Sequence, residues 1–254
     1  MLPMMHRACV GVQQQQPRDL SSVTTAIYAM APMPSELLDA VDAMYPNADV
    51  ILGSGQTEVV PTTVMQWPEH RHSARVLGAP VGLRAGQDHG RDRRGPGPGE
   101  TGEIVYRAPN VCSGYWNNAE ANRAAFAHGW FHSSDIGHLD DAGVVWFTDR
   151  LKDIIKSGGE NVSSVVVEGV VLAAPGVAEC TVIGVPDERW GEAVCAVVVP
   201  DGSVAEPDLE AGVIAHAKAK LAGFRVPKQV RVVDGLPKTA TGKIQKHEVR
   251  GLIR

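Results

Sequence analysis

The sequence predicts an α/β chain of two domains, and three observations carry the prediction. An apolar run, a helical stripe and a second apolar run follow one another over residues 23–52. Short alternating strands occupy 103–107 and 144–147. Beyond Arg150 the pattern changes to a strand hairpin and an amphipathic helix, and 254 residues suffice for two cores of this size.

Taken in order, the Met-rich first residues lead into Gln13–Gln16, a polar run that reads as a loose surface segment. Val23 to Met30 are bounded by Ser21-Ser22 and by Pro32 and Pro34, which suits a buried strand ending in a turn. Ser35 caps a helix whose Leu37, Leu38, Val41 and Met44 recur on one face until Pro46 stops it. Asp49–Leu52 is a second short strand. Residues 82–99, dominated by Gly, Arg, Asp and Pro, read as a flexible loop. Order returns with the strands 103–107 and 144–147, which together predict a small β-rich subdomain. Val162–Leu172 is ambiguous, because its valines favour a strand. Cys180–Val185, a turn through Pro186-Asp187, and Ala193–Val199 form a hairpin. Leu209, Val213, Ala217 and Leu221 then mark a helix beginning near Pro207-Asp208 and ended by Gly223.

Composition narrows the partners. A net charge of −5 with interspersed signs offers neither a basic face for nucleic acid nor a polybasic run for a membrane, so small molecules are the expected partners. Cys9, Cys112, Cys180 and Cys195 are far apart, without CxxC spacing, as reduced thiols of a cytoplasmic protein are. No stretch approaches the roughly 20 apolar residues of a membrane helix. His6 and Arg7 interrupt the N-terminus before a signal-peptide core develops, and the expected location is the cytoplasm.

Four blocks carry chemistry. Pro237-Lys238-Thr239-Ala240-Thr241-Gly242-Lys243 sets a lysine on a Gly/Thr turn, where its cation can reach a phosphate or carboxylate. The others are Gly53-Ser54-Gly55-Gln56-Thr57-Glu58, Gly129-Trp130-Phe131-His132-Ser133-Ser134-Asp135, and Asp149-Arg150-Leu151-Lys152-Asp153-Ile154-Ile155-Lys156-Ser157-Gly158-Gly159. Each alone has an ordinary explanation: a solvated lysine, a capping Thr beside a dipole-matched Glu, a turn Asp, a Gly-rich turn.

In this order the blocks resemble the AMP-forming adenylate family of acyl-CoA synthetases, luciferases and peptide-synthetase adenylation domains, from about Pro3 to Lys246. The resemblance implies that residues 1–150 are the C-terminal part of a large adenylate-forming domain, an α/β layer plus a small β-barrel-like subdomain. Residues 151–254 are then a small, mobile α+β domain. It implies a helix beginning near Ser164, and ATP-dependent activation of a fatty or related carboxylic acid to acyl-AMP followed by transfer to CoA. Lys243 is then the catalytic lysine and Glu58 the Mg²⁺ ligand, with Thr57 and Gly55 beside the phosphates. Asp135 and Arg150 hold the ribose, while Ala31 and Pro32 line the adenine. Lys152 becomes the hinge, and Gly158 and Gly159 border the CoA channel.

This sequence also departs from the family pattern. Ser54 stands where an aromatic ring usually stacks on adenine, Ser134 where Gly usually precedes the aspartate, and Ala29-Met30 where Gly-Gly is usual. A Ser/Thr/Gly-rich phosphate loop ending in Pro-Lys-Gly does not occur in the 254 residues, so the resemblance implies the last half of a ligase and an expected N-terminal half elsewhere. Loading of a carrier protein in place of CoA, and a non-catalytic nucleotide-binding remnant, are the alternatives.

Overall fold

A computed structural model describes residues 1–29, 33, 35–63, 83–85, 99–141, 144–240 and 242–253. The chain divides into two compact units, Met1–Thr148 and Asp149–Arg254, slightly before the division expected after Arg150.

The first unit opens with α1 (Pro3–Gln15), which takes in most of the Gln13–Gln16 run expected to be a loose surface segment. Pro3 occupies the first turn, where its missing N–H costs nothing. Pro3 and His6 turn inward, and His6 Nε2 lies 3.3 Å from the carbonyl of Ile27. The helix was hidden in the sequence because its most buried polar anchor is a histidine; burial lowers the pKa of that imidazole.

Strand β1 (Thr25–Ala29), helix α2 (Ser35–Met44) and strand β2 (Asp49–Gln56) form the anticipated crossover. β1 and β2 are parallel, from Thr25 opposite Asp49 to Ala29 opposite Gly53, a pairing that requires a connection such as α2. Strand β3 (Val59–Thr63) adds antiparallel to β2. Ala26 and Tyr28 alternate with exposed Thr25 and Ile27, so β1 buries one face only. That face packs with Leu37, Leu38, Val41, Val50 and Leu52.

The second sheet has the order β4-β5-β6-β7. It comprises β4 (Leu83–Ala85), β5 (Gly102–Tyr106), β6 (Phe131–Leu139) and β7 (Val145–Arg150), with helix α3 (Ala119–Ala125) before β6. The loop expected over 82–99 is corrected at β4, which pairs with β5 through Leu83 opposite Tyr106; residues 86–98 lie outside the described residues. Among the described residues the four strands make an open sheet and not the barrel-like closure expected. Its core is Val59, Ile104, Tyr106, Phe131 and Val145.

The second unit contains β8 (Ile155–Ser157), β9 (Glu160–Val162), α4 (Ser164–Leu172), β10 (Val177–Asp187), β11 (Gly191–Pro200), α5 (Glu206–Lys220), β12 (Gln229–Val232) and α6 (Lys246–Leu252). The β10–β11 hairpin is its spine, with β8 and β12 on the far side of β11. Ala193–Val198 is buried without alternation because both faces of β11 are covered. Val194, Ala196 and Val198 pack with α4 and α5 residues such as Val167, Val171, Leu209 and Val213. Cys195 and Val197 face the other way, with Leu236 and Val249. The valine-rich α4 is helical although its residues favour strands. Ser163 caps it by accepting from the N–H of Val166 at 3.3 Å, and Val167 and Val171 are fully buried.

All four cysteines are free, and burial pushes the Cys180 thiol up to about 12 and that of Cys195 up to about 11. No helix among the described residues is long and apolar enough to cross a membrane.

Candidate active site

In the first unit the site grows from the end of β2. This strand continues through Gly53–Gln56, beyond the Asp49–Leu52 expected from the sequence, because the ladders to β1 and β3 carry it on. Thr57 and Glu58 are the turn into β3. The turn is therefore the tip of a hairpin and not the start of a helix.

Gln56, the last ladder residue, donates from Nε2 to Asp135 Oδ2 at 2.6 Å and reaches the Ser133 carbonyl at 3.4 Å. This contact brings the Thr57-Glu58 turn beside the aspartate expected to hold a ribose. Asp135 stands in the middle of β6. Between the pairs Ile104–Asp135 and Val105–His132 the register breaks, and Ser133 and Ser134 form the bulge.

Three side chains fix that bulge. Ser133 Oγ donates to the Ile104 carbonyl at 2.5 Å and accepts the Asp135 N–H at 3.0 Å. Glu103 accepts the Ser134 N–H on Oε1 at 3.0 Å, while its Oε2 lies 2.8 Å from His132 Nδ1. Ser134 has φ 59°, the left-handed region where a side chain is strained. A glycine here would relieve it. Ser134→Gly is expected to raise the stability of the first unit by about 0.5–1 kcal/mol after the added freedom of the unfolded chain is deducted. Urea denaturation checks this; an unchanged or lower midpoint contradicts it.

Glu58 is half-buried and held from two sides. Tyr115 Oη donates to its Oε1 at 2.7 Å, and the Cys112 N–H donates to its carbonyl at 2.7 Å. Asn122 in turn accepts the Tyr115 N–H at 2.7 Å and donates to the Tyr115 carbonyl at 2.9 Å. The hydrogen bond to Glu58, with burial, pushes the Tyr115 phenol up to about 12, so it remains a donor at neutral pH. No cluster of three or more His, Cys, Asp or Glu suited to a metal exists among the described residues. Mg²⁺ commonly takes one or two carboxylates with the remaining positions filled by water and substrate phosphate, and a single oriented Glu58 fits that mode. Thr57 and Gly55 are exposed next to it. Ala31 and Pro32 lie outside the described residues.

In the second unit, Arg150 ends β7 and donates its N–H to Asp149 Oδ1 at 2.7 Å. Lys152 is exposed in a 3-10 turn, and its carbonyl lies 3.4 Å from the Arg250 guanidinium. Gly158 and Gly159 form the β8–β9 turn with φ of 61° and 86°. Gly158 has a packing reason as well: a Cβ there would stand 2.8 Å from the Trp190 ring.

Lys243 is exposed on a closed loop. Lys238 and Ile244 bridge its ends, the Thr239 N–H donates to the Lys243 carbonyl at 2.8 Å, and Lys243 returns its own N–H to Thr239 Oγ1 at 3.1 Å. Gly242 makes the turn at φ 83°. Sequence reasoning named Lys243, Glu58 and Asp135 but missed Gln56, Glu103, His132 and Tyr115, which orient Glu58 and the Asp135 bulge. Gln56 lay inside a quoted block, and its place one residue before the Thr-Glu turn was the available signal. Tyr115 stands outside the four blocks.

Comparison with known proteins fixes the family. The model of the AMP-binding enzyme matches residues 1–116, and that of the AMP-binding enzyme C-terminal domain matches 166–243. The chain belongs to the AMP-binding enzyme family. It is 40% identical over 253 residues to a feruloyl-CoA synthase of Amycolatopsis sp, covering 98% of this chain and 50% of that protein. Its fold matches ATP-bound MatB from Rhodopseudomonas palustris with a TM-score of 0.84 at 30% identity, over 99% of this chain and 50% of that one. The o-succinylbenzoate CoA synthetase MenE from Bacillus subtilis, in complex with the acyl-adenylate intermediate OSB-AMP, also scores 0.84, at 28% identity, over 98% of this chain and 50% of its own. The chain thus spans about half the length of the relatives it matches.

Proposed function

We propose that the chain takes part in ATP-dependent activation of a carboxylic acid and transfer of the acyl group to CoA, in the cytoplasm. The observation that carries the proposal is the Gln56–Asp135 hydrogen bond, which sets a candidate ribose-binding carboxylate beside the Thr57-Glu58 turn. Similarity to a CoA synthase, to an ATP-bound protein and to one holding an acyl-adenylate supports it.

In the first step a carboxylate oxygen attacks the α-phosphorus of ATP, and the bond to the bridging oxygen breaks, releasing pyrophosphate with the electron pair. Asp135 accepts from the ribose hydroxyls. The Thr57 hydroxyl donates to a phosphate oxygen, and Glu58, oriented by Tyr115, offers its carboxylate to Mg²⁺. That ion supplies charge neutralisation on the phosphates. Lys243 places a cation where negative charge gathers between the two anions. In the second step the CoA thiol gives up its proton to solvent, its sulfur attacks the acyl carbonyl, and the bond to the AMP phosphate oxygen breaks so that AMP departs, with Gly158 and Gly159 beside the pantetheine and Lys152 as the pivot. Arg150 is the second ribose contact, and Ala31 and Pro32 border the adenine.

The acid is of the fatty or related class, and the feruloyl-CoA relative extends that class to aryl acids. Asp135→Ala is expected to weaken Mg-ATP or AMP binding about tenfold or more, since it deletes a charged acceptor of two hydroxyls. Calorimetric titration of both proteins tests this; equal affinity sinks the ribose assignment.

A further inference from the structure

We propose that Lys246 is a positioning residue for Lys243: it anchors one foot of the lysine-bearing loop in a buried polar cluster and touches no substrate. The inference rests on the reading of Lys243 as the phosphate-facing cation.

A lysine at the first position of α6 runs against the helix dipole, which disfavours cations there. Its side chain is instead 15% exposed and turned inward. Nζ lies 2.8 Å from Glu168 Oε1, 2.5 Å from Ser164 Oγ and 3.2 Å from the Val182 carbonyl, so its three donors meet three acceptors. Ser164 Oγ in turn donates to Asp149 Oδ2 at 2.7 Å. Glu168 Oε1 also accepts from Thr181 Oγ1 at 2.9 Å and from the Val182 N–H at 2.8 Å. The cation is the piece that joins the chain at residue 246 to helix α4 and strand β10.

The loop has a second post, since Lys238 Nζ pairs with Glu179 at 2.6 Å. That pair is about 35–40% exposed and contributes little. α6 is also fastened at its far end, where Arg250 meets Asp153 Oδ1 at 3.0 Å, and between its ends Val249 is buried. Lys246 is therefore the less exposed of the two posts that hold the Lys243 loop. Its removal loosens the loop without orphaning the cluster, because Glu168 keeps two protein donors and Ser164 keeps Asp149.

Hydrogen exchange reads this directly in the whole chain. The Thr239, Gly242, Lys243 and Gln245 N–H groups are all bonded within the loop, to the Lys243 carbonyl, the Thr239 carbonyl, Thr239 Oγ1 and the Pro237 carbonyl. In Lys246→Met, which keeps the buried stem, these amides exchange about ten- to a hundredfold faster while those of β11 keep their protection. Lys246→Arg restores slow exchange. In pyrophosphate-release assays Lys246→Met lowers kcat and leaves the KM for the acid in place, and the arginine variant recovers the rate. Loop amides at the wild-type rate, or β11 amides accelerated equally, overturn the proposal. The exchange result decides it whatever Lys243→Ala does to catalysis, so the positioning claim and the functional reading fail separately.

Discussion

Asp149→Ala is expected to cost the second unit about 3 kcal/mol, the largest stability effect of any single change considered, from the loss of several hydrogen bonds to one buried charge. The carboxylate is 2% exposed. Oδ2 accepts from the Ser164 N–H at 2.6 Å, from Ser164 Oγ at 2.7 Å and, at 3.4 Å, from the Val165 N–H, while Oδ1 takes the Arg150 N–H. It thereby satisfies the opening N–H groups of α4 and sits at the end of the helix where negative charge is favoured. Alanine removes the charge and leaves the fully buried Ser164 N–H without its acceptor. Asp149→Asn keeps one carbonyl acceptor and is expected to lose about half as much. Denaturant titration followed by a probe in the second unit measures both; a loss under 1 kcal/mol for the alanine variant contradicts this account.

The network around Asp149 also shows how far the sequence could be read. The β1-α2-β2 crossover and the β10–β11 hairpin were legible, because their apolar spacing and turn residues are local. Helix α4 was legible only through the family resemblance: its valines argue for a strand, and what tips the balance is Asp149, fifteen positions before Ser164 along the chain. Helix α1 was lost because His6 and a polar tail disguise a buried face. At the site, Lys243, Glu58 and Asp135 belong to recognisable blocks. The residues that aim them do not, because Gln56 meets Asp135 across 79 positions and Lys246 meets Ser164 across 82. Those pairings follow from sheet register and helix packing, which composition does not encode. Ser134 is the intermediate case: its departure from glycine was visible, and the bulge at φ 59° shows why the departure strains the backbone.

Lys243→Ala is expected to have the largest effect on activity. Adenylation brings a carboxylate against a triphosphate, and the transition state concentrates charge that a well-placed cation stabilises by roughly 3–4 kcal/mol, a rate factor of about 10²–10³. The geometry around Lys243 suits that task. Its loop is closed by the Lys238–Ile244 bridge and by paired bonds with Thr239, so the backbone is ordered while the side chain reaches solvent. Because the side chain is exposed, its removal should leave stability within about 0.5 kcal/mol of wild type, which separates a catalytic loss from a folding loss.

The direct test is acid-dependent pyrophosphate release from Mg-ATP by the 254-residue chain, run over a panel of fatty and aryl acids beside Lys243→Ala. The account predicts release that depends on the acid and falls by about a hundredfold or more in the variant. Release undiminished in Lys243→Ala, or absent from both proteins, contradicts the assignment of this step to the chain.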